Sequence, residues 1–183
     1  MGRRLRAAAR PVSGLLEPAL SVAFVLLVVV PIAPDPPNIL NLKTALAQEM
    51  VNQLRAELSI SSEVDIALVK YHPLVFFVEP EDPRKQRFRL SMEVGFLMIL
   101  DDEELFGALA HEMGHVWIYT HHPYLQTEML ANVIAQRVIR RRSLEKVYTK
   151  LWAYEHTTGV PMDEILGPPQ AEGSVPTTPP EAN

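Results

Sequence analysis

Asp101-Asp102-Glu103-Glu104-Leu105, leading into Ala110-His111-Glu112-Met113-Gly114-His115-Val116, decides how this sequence is read. Asp101 and Glu104 stand three apart, the spacing at which an N-cap side chain and a glutamate satisfy each other's backbone N–H groups, so a helix is predicted from about 102 to 119. The pattern H-E-x-x-H falls inside that helix. Residues four apart on a helix lie about 40° apart and one turn along, so the imidazoles of His111 and His115 can converge on one ion, with bonds of about 2.0–2.1 Å for zinc. Glu112 points about 100° away from His111. It reaches a water held by the ion rather than the ion itself. The expectation is a zinc site in which Glu112 is the catalytic base, taking a proton from the attacking water and passing it to a leaving amine.

A catalytic zinc needs a third protein ligand. His121 has the spacing H-E-x-x-H-x-x-G-x-x-H used by metzincins, but Ile118 stands where that pattern has glycine, and a β-branched residue resists the turn required there. His122 would sit about 10.5 Å further along a continued helix than His115. Both histidines suit the end of a helix, where positive charge meets the dipole. Glu128 is the preferred ligand, placed early on a second helix that a short hairpin over 121–126 returns against the first. His121, Glu145, Glu155 and a solvent-filled position remain alternatives. Gly114 lets the two helices approach, and Asn132, one turn beyond Glu128, can hydrogen-bond a zinc histidine from behind.

Leu42, Leu46, Met50, Leu54 and Leu58 recur every four residues and predict a helix from about 42. Residues 64–69, 74–78 and 87–92 read as strands, with a turn-rich segment over 79–86 and Gly95 marking the exit. One helix is predicted from about 124 to 142, with helical character continuing through Leu144 to Trp152. The fold class is therefore α+β: a small antiparallel sheet packed on the H-E-x-x-H helix and further helices.

The chain of 183 residues contains no cysteine, which excludes disulfides and cysteine-ligated zinc. A net charge of −5 gives no basic surface for nucleic acid. Within residues 1–33, Arg3, Arg4, Arg6 and Arg10 face Glu17 alone, and the run Ala19 to Val30 is apolar. At about 12 residues it is shorter than the roughly 20 needed to span a bilayer. It reads as a signal peptide, an uncleaved anchor, or a buried helix. In the first two cases the body lies outside the cytoplasm and meets a membrane only through this segment. Residues 34–41 form a linker, 42–166 the metallopeptidase domain, and 167–183 a disordered Pro-rich tail.

Residues 88–138 resemble the M48 peptidases, the gluzincin group of HtpX, Ste24 and Oma1 type. The resemblance is carried by Phe88 to Leu97, by Asp102-Glu103-Glu104-Leu105 through Ala110-His111-Glu112-Met113-Gly114-His115, and by Glu128-Met129-Leu130-Ala131-Asn132. It implies zinc at His111, His115 and Glu128, with Glu112 catalytic. Asn132 replaces the family's aspartate, and only residues 116–127 separate His115 from Glu128, where the family carries a longer insert. The family's upstream Asn-Ala-Phe element is absent. A downstream cation steadying the oxyanion falls to His156. The short spacing also resembles the ImmA-type regulators, a cytosolic alternative. The function expected is a zinc metalloendopeptidase acting on peptide or unfolded protein, whose backbone adds beside the strand over 87–92. The alternative is an inactive zinc module that binds peptides or envelope partners.

Overall fold

The computed structural model describes residues 38–169 apart from 83, 85 and 124. The leader expected over 1–33 and all but the first three residues of the expected tail lie outside the described residues. Helix α1 (Ile39–Glu57) leads to strands β1 (Glu63–Val69), β2 (Phe76–Pro80) and β3 (Arg87–Glu93). Helices α2 (Val94–Ile99), α3 (Asp102–His121), α4 (Glu128–Ala135), α5 (Arg141–Tyr154) and α6 (Met162–Leu166) follow. This is an α+β chain with a three-stranded mixed sheet. No helix among the described residues is long and apolar enough to cross a membrane.

The sheet is not wholly antiparallel as expected. Its spatial order is β1-β3-β2, with β3 parallel to β1 and antiparallel to β2. Successive strands do reverse direction, but β3 inserts between the other two. Burial explains the order: Phe88, Leu90 and Met92 face the core, while Ser91 and Glu93 on the other face are also buried. A strand covered on both faces belongs in the middle of a sheet. It follows that β3 cannot accept a substrate strand, because both its edges are paired. The edge available beside the site is that of β2.

Helix α1 starts earlier than predicted. Asn38 caps it, its Oδ1 accepting from Leu40 N at 3.0 Å, so the expected linker ends in the first turn of a helix. The buried face is Ala47, Val51, Leu54 and Leu58, and Leu42 is exposed. A strict four-residue repeat drifts about 40° per step around a 3.6-residue helix, so the leucine stripe winds off the core. The capping box of α3 forms as read: Asp101 Oδ1 accepts from Glu104 N, and Glu104 Oε2 accepts from Asp101 N, both at 2.8 Å.

The single helix predicted over 124–142 is two. Thr127 caps α4 by accepting from Leu130 N at 3.1 Å, and the helix stops at Ala135. Ala135 O then accepts from both Val138 N and Ile139 N, and Gln136 turns its amide to Asn132 O and Leu166 O. No glycine or proline marks this break. It is set by tertiary packing, which turns α5 back across α3 at Gly107.

Glu93 ties the sheet to α5. Its side chain is buried, accepts from Tyr154 Oη at 2.5 Å and from His72 N at 3.2 Å, and sits where Phe96 meets Tyr154. Tyr154→Phe leaves a buried carboxylate oxygen short of a donor, which costs about 1–3 kcal/mol. A denaturant midpoint unchanged from the parent chain, at equal slope, would refute this.

Candidate metal centre

Helix α3 supplies His111, Glu112 and His115, and the first turn of α4 supplies Glu128. The two helices pack closely because position 114 is glycine. A Cβ there would stand 2.9 Å from the Ala131 carbonyl carbon and closer still to its oxygen. Among the described residues, His111, His115 and Glu128 form a group whose donor atoms all lie within 4.8 Å of one another. Nε2 of His111 is 3.1 Å from Oε2 of Glu128, and Nε2 of His115 is 3.5 Å from Oε1. Donors bound tetrahedrally to one ion at about 2.0–2.1 Å stand about 3.3 Å apart, so the spacing fits a small divalent cation.

The histidine tautomers fit as well. Asn132, fully buried, presents Oδ1 at 2.8 Å from Nδ1 of His111, while its Nδ2 donates to Tyr148 Oη and Ile165 O, each at 2.9 Å. Gln126 Oε1 lies 3.0 Å from Nδ1 of His115, and its Nε2 donates to His115 O at 3.2 Å. Each amide nitrogen is engaged elsewhere, so each amide oxygen faces a ring nitrogen that must carry hydrogen. Both Nε2 atoms then face Glu128: in the metal-free chain they donate to its carboxylate, and an ion held among the three would take the place of those hydrogens. Metal-binding histidines are fixed in this way.

The local field suits a cation. Hydrogen bonds from His111, then from His115, hold the Glu128 carboxyl far below the usual carboxylate range against the opposing effect of burial. Burial opposes charge on His115, but Glu128, Glu112 and Gln126 together outweigh it and raise its pKa. Burial raises the pKa of Glu112, with His111 and His115 offsetting part of the shift and Glu128 adding to it. A buried glutamate so tuned is suited to accept and return a proton. The centre opens on a cavity of about 410 Å³, walled by Phe76 and Val78 of β2, Phe96 of α2, and Leu144, Val147 and Leu151 of α5.

The other candidates lie apart from this cluster. His121 belongs to α3; its ring stacks on Trp117 at 4.1 Å, and its Nδ1 lies 2.9 Å from Trp117 O. His122 closes the helix through its N–H to Ile118 O. Glu145 pairs with Arg141. Glu155 lines the cavity, outside the converging group. His156 is exposed, adopts φ 57° in the turn after α5, and is not among the cavity-lining residues. Sequence reading missed Gln126 and Tyr148. Tyr148 had a usable signal, a hydroxyl-tipped aromatic one turn after Leu144 on the apolar face of α5. Gln126 had only its place before the N-cap Thr127.

Fold and site together define an α+β chain with a His-His-Glu cluster that could hold a metal ion beside a buried glutamate. No protein-family model matches the sequence, and no curated protein or solved structure matches it.

Proposed function

We propose that the chain is a zinc-dependent metalloendopeptidase of minimal gluzincin type, related in design to the M48 peptidases and acting outside the cytoplasm on peptide or unfolded protein. One observation carries the reading: two tautomer-fixed imidazoles and one carboxylate converge while a buried carboxylate, Glu112, faces the same cavity. The chemistry of the donor set, two histidines and a glutamate with no sulfur, is that of a hydrolytic zinc site with an open position. A bound zinc ion lowers the pKa of a coordinated water toward about 7 and polarises a carbonyl.

The remaining work falls to the chain. His111, His115 and Glu128 hold the ion. Glu112 takes the proton of the attacking water and returns it to the leaving amine. The free edge of β2, antiparallel to β3 and bordering the cavity through Phe76, Phe77 and Val78, receives an extended peptide as an added strand. Apolar cavity walls accept an apolar side chain beside the scissile bond. The basic leader and the apolar run Ala19 to Val30 support export.

The purified full chain should bind zinc stoichiometrically and cleave an unfolded protein. Chelation should abolish both, and zinc should restore them. Elemental analysis beside a peptidase assay reads the outcome. Zinc without turnover on any substrate would leave only a peptide-binding zinc module, and a chain that takes up no zinc would end the reading.

A further inference from the structure

Gln126 stands in the turn between α3 and α4 and grips one histidine at two points. Its amide oxygen meets the ring at Nδ1 and its amide nitrogen donates to the same residue's carbonyl oxygen. The second bond fixes the first, because an amide whose nitrogen is committed to a carbonyl must turn its oxygen to the imidazole. We propose that Gln126 is a positioning residue for the metal centre, holding His115 with hydrogen on Nδ1 so that Nε2 is the ring nitrogen presented to Glu128 and to an arriving ion.

Free imidazole exchanges between two neutral tautomers and rotates about its side-chain bonds. A site that must first select one of these states binds its ion more weakly by the fraction so populated. Gln126 removes that selection for His115, as Asn132 does for His111 from a different element. The repetition of one device on both ligands, each amide anchored at its far end, argues against a chance contact. The device also explains what the brief span over 116–127 achieves. A turn this short brings Gln126 back to within hydrogen-bonding distance of a residue eleven positions earlier, so the segment that delivers Glu128 also orients His115. Both orienting partners are neutral amides, so neither adds charge beside the ligands it orients.

The inference rests on the metal-centre reading above and not on turnover. Gln126→Met keeps length and volume but offers no amide, and Gln126→Glu keeps an oxygen facing the ring. In metal-free protein, long-range proton–nitrogen NMR of His115 should show hydrogen on Nδ1 in the parent chain and in Gln126→Glu, and hydrogen lost in part from Nδ1 in Gln126→Met. Competition with a chelator should show zinc binding weakened about 10–100-fold in Gln126→Met and less in Gln126→Glu. Thermal melting of the metal-free variants should stay close to that of the parent. The proposal is overturned if Gln126→Met keeps the Nδ1–H form and binds zinc within about twofold of the parent, well short of that expected loss. A parent chain that binds no zinc overturns it together with the metal centre. Zinc binding without peptide cleavage overturns only the peptidase, and the affinity of Gln126→Met still decides the role of Gln126.

Discussion

Glu112→Gln is expected to retain zinc and to cleave unfolded protein about 10²–10⁴-fold more slowly than the parent chain. Glutamine has nearly the shape of glutamate, and residue 112 contributes no atom to the group formed by His111, His115 and Glu128, so the metal content should not change. What the substitution removes is the ability to accept a proton. Glu112 is 6% exposed, and its burial already penalises the charged form in the metal-free chain. An amide carries no such penalty, so the metal-free variant should melt no lower than the parent. Zinc retention and unreduced stability together make lost turnover a statement about proton transfer rather than folding. Initial rates within tenfold of the parent, at equal zinc content, would show that another group moves the proton and would remove Glu112 from the mechanism.

The parts of this site that were legible in the sequence are those fixed by local spacing. The capping pair Asp101 and Glu104 and the H-E-x-x-H register sit on a single helix, where 3.6 residues per turn converts sequence distance into direction. Glu128 and Asn132 were approachable for a related reason, because a short connection between two helices forces them to lie antiparallel and adjacent. Features that depend on which elements become neighbours were not legible. The alternation of β3 suggested a strand with one wet face, yet Ser91 and Glu93 are covered, and that burial is what moves β3 to the centre and leaves β2 at the edge. The end of α4 at Ala135 carries no glycine or proline, and the residues that follow it have ordinary helix propensity. Tyr148 reaches the site only because that break lets α5 fold back. The left-handed turn at His156 after α5 is of the same kind, since the sequence carries no periodic signal for it.

Gly114→Ala should damage the metal centre more than any substitution of similar size elsewhere on α3. In an isolated helix the change is favourable by about 1 kcal/mol, because alanine restricts the unfolded chain and helps the helix form. Here the added methyl would meet backbone, lying 2.9 Å from the carbonyl carbon and 3.0 Å from the Cα of Ala131. Backbone cannot rotate away as a side chain can, so α4 must shift relative to α3. Overpacking of this kind costs about 1–3 kcal/mol, which cancels or exceeds the helix gain. The functional cost is larger than the stability cost. Ala131 lies between Glu128 and Asn132 on α4, so the movement that relieves the clash displaces the third ligand and the group that orients His111 together. Zinc affinity should therefore fall by at least about tenfold even if the variant melts within a few degrees of the parent. Gly107→Ala is the matched control, since its new methyl would meet Cγ2 of Val147 at 3.1 Å, a side chain able to give way. Thermal melting and chelator competition on both variants separate the cases. If Gly114→Ala bound zinc as tightly as Gly107→Ala, the close approach of α3 and α4 would not be what sets the ligand geometry, and position 114 would be glycine for some other reason.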